Sequence, residues 1–543
     1  MSAPFRALKK SQSFVGTFGR KVREEAGRSA RNLFRQTATA LDKNSRPLNR
    51  YVHPADLPYS AAANVATDLS VLDDRFTSTG VEWVRLPGLS RFRPTVVVDV
   101  SQKNEVLSVV EALRTLEGWR IRYFDTSGRH ITSAAAGRLK VGAVATGRAH
   151  FSSHGIEISS PDEDIMVEFW DRLPADVPRD DGTTYETGTL RRGIQKRGPL
   201  VEYLTPDQWA TGIADGNCIR LPYPHLFEVT GPIDIVYTWV NGDDPDWRRR
   251  KNKAQGILDH ETVNETAVNA SRFNNRNELK YSLRSLEMYA PWVNHIFLVT
   301  DQQVPEWLDT DHPGITVVDH REIFTDTSAL PVFNSHAIES QLHHIPGLSE
   351  QYVYMNDDIV FLRPTEASLF FHGNGQAKFY PSTAPLDLAP SSARDLPVLS
   401  AAKHNRELIE RTFQRTITNK LKHTPHAQLK SVLEQLETDN PEIFSRLSHS
   451  TFRHPDDLSI TSALHHWYAY ALGKATPANI RYGYVNLAAE DAEQRLSGFA
   501  QSRRFDVLCV NETETTPERT AEIDVFLGEF FRKRFPFKSS FEK

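Results

Sequence analysis

From residue 233 onward, runs suited to a buried strand end one after another on a carboxylate. "IDIVYTWV" (233–240) leads into the sharp turn "NGDDPDW", "VNHIFLVTD" (293–301) stops on Asp301, and "GITVVDH" (314–320) reaches Asp319. In "QYVYMNDDIVFLRP" (351–364), Asp357 and Asp358 interrupt an otherwise apolar stretch. Short continuous apolar runs, as opposed to alternating ones, suit strands covered on both faces. Between these runs lie two segments with helical spacing. "RNELKYSLRSLEMYAPW" (276–292) puts Leu279, Leu283 and Leu286 on one face, and "SHAIESQLHHIPGL" (335–348) reads as one helix capped by Ser335 and stopped near Pro346–Gly347. Strands alternating with helices predict an α/β fold, a mostly parallel sheet flanked by helices, with ligands bound at the strands' carboxyl ends. Asp243, Asp301, Asp319, Asp357 and Asp358 all fall at or just past such ends.

Ionised carboxylates are costly to bury without a partner, so Asp357 and Asp358 need a turn open to water, a basic neighbour or a metal ion. Neighbouring residues of a strand face opposite sides, so both can reach one ion only if the chain turns at "NDD", and Asn356 suits a turn. Two hard carboxylates can hold Mg²⁺ or Mn²⁺, with the ion in turn holding a diphosphate. A solvated turn between two strands is the alternative. On the helix at 335–348, the i, i+3, i+7 spacing of His336, Glu339 and His343 predicts one shared face, able to orient a hydroxyl, bind metal or supply a base. Histidines recur in "KHTPHAQL" (422–429) and in "LSHSTFRHPDDLSI" (447–460), where His454 beside Arg453 could take a proton while the Arg neutralises phosphate charge. There is no G-x-S-x-G elbow and no phosphate-cradling P-loop, and Cys218 and Cys509 sit in ordinary contexts.

A chain of 543 residues exceeds one ordinary domain. Residues 80–170 read as a small α/β unit: strand "PTVVVDV" (94–100), helix "KNEVLSVVEALRTLEG" (103–118), strand "WRIRYFDT" (119–126), and further strands in "KVGAVAT" and "GIEISS". Residues 44–66, rich in Pro, Asn and Ser, read as a linker, and 172–230 as an irregular bridge. The expected division is a basic amphipathic segment and linker (1–66), an accessory α/β domain with its bridge (67–230) and a main domain with a helical C-terminal part (231–543). Residues 1–50 carry twelve Lys/Arg against three Asp/Glu, and Phe14, Phe18, Val22, Ala26, Ala30, Phe34 and Ala38 recur every four residues. A basic amphipathic helix at 10–40 can lie on an anionic membrane surface, or can be a solvated tail. Two cysteines, no secretory leader and no apolar run of about 18 residues suggest the cytoplasm, with the inner face of the membrane as a contact. Nucleic acid is not expected as a partner, because no aromatic-and-basic platform follows the basic segment.

Four separated blocks together resemble the Stealth family of sugar-1-phosphate transferases, bacterial exopolysaccharide and capsule enzymes related to the catalytic subunit of the animal GlcNAc-1-phosphotransferase. The first block is "IDIVYTWVNGDDPDW" (233–247). The second begins "RFNNRNELKYSLRSLEMYAPWVNHIFLVTD" (272–301) and runs through "FNSHAIESQLHHIPGLSEQYVYMNDDIVFLRP" (333–364). The third spans about 400–470 with "FRHPDDLS", and the fourth is "VLCVNETE" (507–514) with the terminal "FLGEFFRKRFPFKSSFE" (526–542). The resemblance implies a nucleotide-sugar-transferase-like fold, a UDP-activated hexosamine donor such as UDP-GlcNAc, a glycan acceptor, Mg²⁺ or Mn²⁺ on Asp357 and Asp358, and release of UMP. Carried over residue by residue, the catalytic positions are Glu339, Asp357, Asp358 and His454. Asn241, Gly242, Asp243, Arg272 and His343 would join the substrate pocket. His336 matches no family position, and "VNE" replaces the usual "ND" near Glu512. From the residues alone, two rival readings stay open: glycosyl transfer with UDP as product, and a non-catalytic sugar-nucleotide-binding regulator.

Overall fold

The structure is a computed structural model that describes residues 49–132, 140–174, 177–195, 200–256, 275–392, 395–512 and 515–543. The expected basic helix at 10–40 and Arg272 lie outside the described residues.

The main domain is built on a five-stranded sheet. Its members are β1 (Ile233–Thr238), β2 (Ile296–Thr300), β3 (Ile315–Asp319), β4 (Gln351–Asn356) and, beyond a short β5 (Ile359–Phe361) that leaves the sheet, β6 (His426–Leu429). Their spatial order is β3-β2-β1-β4-β6, with the first four parallel and β6 antiparallel to β4. Ile235, Val236, Tyr237, Leu298, Val299, Val353 and Met355 are all fully buried, which is why these strands read as continuous apolar runs. The order reverses between β1 and β4, and in α/β sheets that crevice is where ligands bind. Thr238 and Asn356 are paired across the reversal, so the loops that follow them lie side by side.

The expected helix at 276–292 is α1 (Glu278–Tyr289), which begins at Asn277 in a left-handed conformation and buries Leu279, Leu283 and Leu286. The segment 335–348 departs from expectation. It forms only a short α2 (Ser335–Glu339), capped by the Asn334 side chain and not by Ser335, followed by a separate 3₁₀ turn at Leu342–His344. The break falls at Ser340 and Gln341, whose side chains are buried: Ser340 Oγ donates to the Ala337 carbonyl and Gln341 Nε2 donates to Ser340 Oγ, while Gln341 Oε1 has no partner among the described residues. Downstream, α3 (Lys430–Asp439) follows β6 directly, β7 (Tyr482–Asn486) and β8 (Val507–Asn511) form a second sheet with β5, and α4 (Pro517–Arg534) closes the chain.

The accessory unit is a mixed eight-stranded sheet between helices. Successive side chains of its strand Thr95–Asp99 divide between two cores, Val96 and Val98 packing with Leu72, Phe76 and Val110, and Val97 with Trp170 and Trp209. Two readings are corrected here. The supposed linker at 44–66 is structured from Tyr51: Tyr51–Val52 pairs with His150–Phe151, Tyr59 is buried against Phe537, and Ser60 caps a helix running Ala61–Thr79. The bridge at 172–230 supplies two strands of the same sheet and the capped helix Pro206–Ala214. "GIEISS" contributes only a single bridge, Phe151 with Glu157. Tyr289 Oη donates to the Ile158 carbonyl and Arg503 Nε to the Ser159 carbonyl, fastening the two units together.

Candidate active site

A cavity of about 730 Å³ opens at the carboxyl ends of β1 and β4. Sheet topology alone determines who meets there. Asp357 and Asp358 form the turn between β4 and β5 that the sequence called for. Because β6 runs antiparallel to β4, its amino-terminal end arrives at the same place, carrying His423. Because β5 pairs with β8 in the register Ile359 to Cys509, that thiol lies against the turn. Helix α1 delivers Arg276 and Glu278 at its start, and α2 delivers His336 and Glu339.

The turn carries an electrostatic conflict. Burial raises the Asp357 carboxyl well above its usual range, and the carboxylates of Glu278 and Asp358 push it further. Glu278 is itself driven up to about 7 by burial, with Arg276 and its own backbone contacts opposing the rise and Asp358 adding to it. Burial opposes ionisation of Asp358 too, but His423, with Nε2 3.6 Å from Oδ2, and the Cys509 thiol, donating from 3.3 Å, outweigh it and hold its pKa below the ordinary value. Those partners serve one oxygen only; Asp358 Oδ1 is buried with no hydrogen-bond partner. Three clustered carboxylates with an orphaned oxygen are the environment a hard divalent cation would relieve, so the residues fit the expected Mg²⁺ or Mn²⁺. Cys509 therefore does not sit in an ordinary context.

Glu339 also lines the cavity, where it is buried and accepts from Ser462 Oγ at 2.7 Å and Tyr354 Oη at 3.3 Å. Arg453 lines the cavity and donates to Ser335 Oγ at 2.9 Å. His336 also lines it, with Nδ1 3.7 Å from the buried Asp457. His320 joins from the end of β3, its pKa pushed down to about 4 by burial against the pull of Asp301 and Asp319. Arg276 forms the far edge in a paired contact with Glu512, at 2.5 and 3.2 Å, and a further contact with Asp524 of α4.

Glu339, Asp357, Asp358 and Arg453 are thus brought together. Others are not. His454 follows Arg453 but is half-exposed outside the cavity lining, its Nδ1 accepting the Asp456 backbone N–H at 3.2 Å. His343 shares no face with His336 and Glu339, because the helix breaks first; it is buried behind the site against Glu437. Asn241, Gly242 and Asp243 occupy the loop just beyond Val240, with Asn241 Oδ1 accepting the Asp243 N–H and Asp243 paired to Arg248 on the surface. The residues missed from sequence are Arg276, Glu278, His423 and Cys509. For the first two a signal existed, an Arg and a Glu at the mouth of an apolar-striped helix. For the others, only strand pairing brings them in.

Three family models match the chain: Stealth protein CR1, conserved region 1, at residues 231–259; CR2, conserved region 2, at 272–379; and CR3, conserved region 3, at 422–470. The chain is 45% identical to the exopolysaccharide phosphotransferase SCO6023 of Streptomyces coelicolor over 89% of its own length and 82% of that protein's. It is 40% identical to SCO2592 of the same organism, a protein of the same description, over 69% of this chain and only 40% of that one. It is 38% identical to the exopolysaccharide phosphotransferase CpsY of Mycobacterium tuberculosis over 59% and 60%. Among solved structures it is similar to the galactosyltransferase LgtC in complex with donor and acceptor sugar analogs, at 10% identity and a TM-score of 0.29 over 55% of this chain and 95% of that one, too loose a likeness to bear on the site. Among the described residues no helix is long and apolar enough to cross a membrane.

Proposed function

The chain belongs to the Stealth family of exopolysaccharide phosphotransferases, and from that premise we propose that its cavity moves a hexosamine-1-phosphate, GlcNAc-1-phosphate from UDP-GlcNAc in the first instance, onto a glycan hydroxyl. The observation that carries this reading is the carboxylate cluster of Glu278, Asp357 and Asp358 at the strand-order reversal, lining one cavity of about 730 Å³ together with Arg453. That volume is in the range of small-molecule sites.

Phosphoryl transfer asks a protein chiefly for positioning and charge neutralisation. Asp357 and Asp358 would hold a divalent ion, which when bound supplies positive charge to the donor's diphosphate. Arg453, lining the same cavity, would add charge on the same group. The acceptor oxygen then forms a bond to the phosphorus that carries the sugar, the bond from that phosphorus to the bridging oxygen breaks, and its electrons leave with UMP. The hydroxyl proton passes to a base. From sequence the preferred base is His454, a neutral imidazole beside Arg453, with Glu339 as the competing candidate. Glu339 is the one that lines the cavity, held by Ser462 and Tyr354, and we assign it that role in place of His454. His454, half-exposed one residue beyond Arg453, is left to orient the acceptor.

Mass analysis of both products after incubation with UDP-GlcNAc, Mg²⁺ or Mn²⁺ and glycan acceptors tests the proposal. UMP with a phosphodiester-linked HexNAc is the expected result. UDP with a glycosidic product overturns it, as does absence of any turnover by folded protein across a panel of nucleotide sugars.

A further inference from the structure

Behind α2, two adjacent histidines converge on one carboxylate oxygen. His343 Nε2 lies 2.7 Å and His344 Nε2 2.8 Å from the same Glu437 Oε2, with the two rings 4.0 Å apart between centroids. The tautomer of His344 is determined by its other nitrogen. Nδ1 lies 3.0 Å from the Ile323 carbonyl, which can only accept, so Nδ1 carries the hydrogen. With Nδ1 so occupied, His344 Nε2 meets the carboxylate either as the second N–H of an imidazolium, a form that Glu437 and the Ile323 carbonyl favour against burial, or as a lone pair with a metal cation between the two. His343 is fully enclosed, edge-on to Phe444, and its Nδ1 has no hydrogen-bond partner.

Two imidazole nitrogens and one carboxylate oxygen are a donor set suited to Zn²⁺. The Nδ1–H to carbonyl bond of His344 is the outer contact that orients metal-binding histidines. Glu434, one turn before Glu437 on α3, is close enough to both rings to act on them electrostatically. Donor atoms around a tetrahedral zinc stand about 3.3 Å apart, so Glu437 need withdraw by only roughly half an ångström to admit the ion. We propose that His343, His344 and Glu437 form a structural Zn²⁺ site, separate from the cavity. The ion would pin the 3₁₀ turn that follows α2 onto α3 and, through Ile323, onto the short helix His320–Ile323. Glu339 ends α2 and His320 begins that helix, so both cavity residues would be held from behind.

Full-length protein purified without chelator is expected to carry one zinc per chain by mass spectrometric metal analysis, and the His344→Ala and Glu437→Gln variants none. Cobalt in place of zinc is expected to give the visible d–d bands of a tetrahedral site in the parent and not in the variants. Either substitution can disturb folding, so a second measurement uses the parent alone: after chelation, added ZnCl₂ should raise its melting midpoint and saturate at one equivalent. A parent that neither carries zinc nor responds to it overturns the proposal. So does zinc that persists in Glu437→Gln but is lost in Cys509→Ser, which would place the ion on the other converging group, Asp358, His423 and Cys509.

Discussion

Replacing Asp358 by Asn removes one charge from the turn and almost nothing else, which separates a functional carboxylate from a structural one. Two electrostatic effects oppose each other in the metal-free protein. The attraction to His423 is lost; at 3.6 Å it is worth about 1 kcal/mol with water-like screening and about 4–5 kcal/mol at an effective dielectric of 20. Both groups are partly exposed, 34% for His423 and 18% for Asp358, so the lower part of that range applies. Against it, repulsion of Asp357 and Glu278 disappears, and an amide oxygen can still accept from the Cys509 thiol. The net change in stability should stay within about 1 kcal/mol. Catalysis should respond far more strongly, since removing one preorganised charged group at a developing charge typically costs about 10²–10³ in rate. The assay pairs UMP release from UDP-GlcNAc with thermal melts at increasing Mg²⁺. The parent should gain stability with Mg²⁺, whereas Asp358→Asn should melt at the parent's metal-free temperature and stay there. A variant that turns over within threefold of the parent, or whose activity falls only in step with a collapse in melting temperature, would refute the assignment of this carboxylate to the reaction.

Further outcomes follow from contacts in the cavity and from two buried carboxylates away from it. Glu339→Gln keeps an acceptor oxygen for Ser462, with its amide N–H turned to the Tyr354 hydroxyl oxygen, but cannot act as a base, so turnover should fall by about 10²–10⁴ with a melt close to the parent's. Arg276→Ala removes the guanidinium from Glu512, which keeps the Thr515 hydroxyl, where the Arg276 and Glu512 side chains are only 8% exposed, and should cost about 1–3 kcal/mol in denaturant unfolding. Glu542 accepts from both Arg284 nitrogens at 2.7 and 2.8 Å, and its pKa is brought down to about 2 by Arg284, the Ser539 backbone and Lys280 acting against burial. A depressed carboxylate stabilises the fold above its unfolded pKa of about 4.5; that contribution, about 3 kcal/mol, is lost as pH falls from there toward about 2, and Glu542→Gln should lose it at pH 7. Glu163 is shifted the other way, to about 7, by burial that Tyr59 and Arg120 only partly offset. The folded chain thus holds that proton longer than the unfolded one, stability declines as pH rises from about 4.5 to 7, and Glu163→Gln should flatten the decline in melts from pH 5 to 8.

The parallel sheet was legible because burial on both faces leaves a continuous apolar record, as in "IDIVYT" and "IFLVT". The turn at Asn356–Asp358 was legible for the opposite reason, since nothing apolar explains two aspartates there. The helix at 335–348 misled because its spacing is helical throughout. What breaks it is buried polar chemistry at Ser340 and Gln341, which a pattern of apolar residues does not register. The stretch 51–66 looked like a linker by composition, yet Tyr59 and His53 are anchored against Phe537, some 480 residues further along the chain, and no local rule reports that contact.

His423 and Cys509 show most clearly where reading along the chain stops. Each reaches Asp358 by a pairing that reverses direction: β6 against β4, and β5 against β8. A parallel partner of β4 would have delivered its own carboxyl end, and another loop of the "TWVNGDD" kind, to the cavity. An antiparallel partner delivers the residues before the strand, so the histidine that matters is the one three positions ahead of β6, and not His426 within it, which is buried against His466. The same reasoning bears on His454. It belongs to the loop before the segment Ile460–Leu464, whose Thr461 and Ser462 are tied to Glu339. That tie fixes the loop's carboxyl end at the cavity and carries Arg453 in with it, while His454 is turned by Asp456 and Asp457 to the outside. Glu339 therefore has the stronger claim to the proton in this arrangement. A His454→Ala variant should accordingly raise KM for the glycan acceptor by more than it lowers kcat. A loss in kcat as large as that of Glu339→Gln, with KM unchanged, would return the base to the histidine.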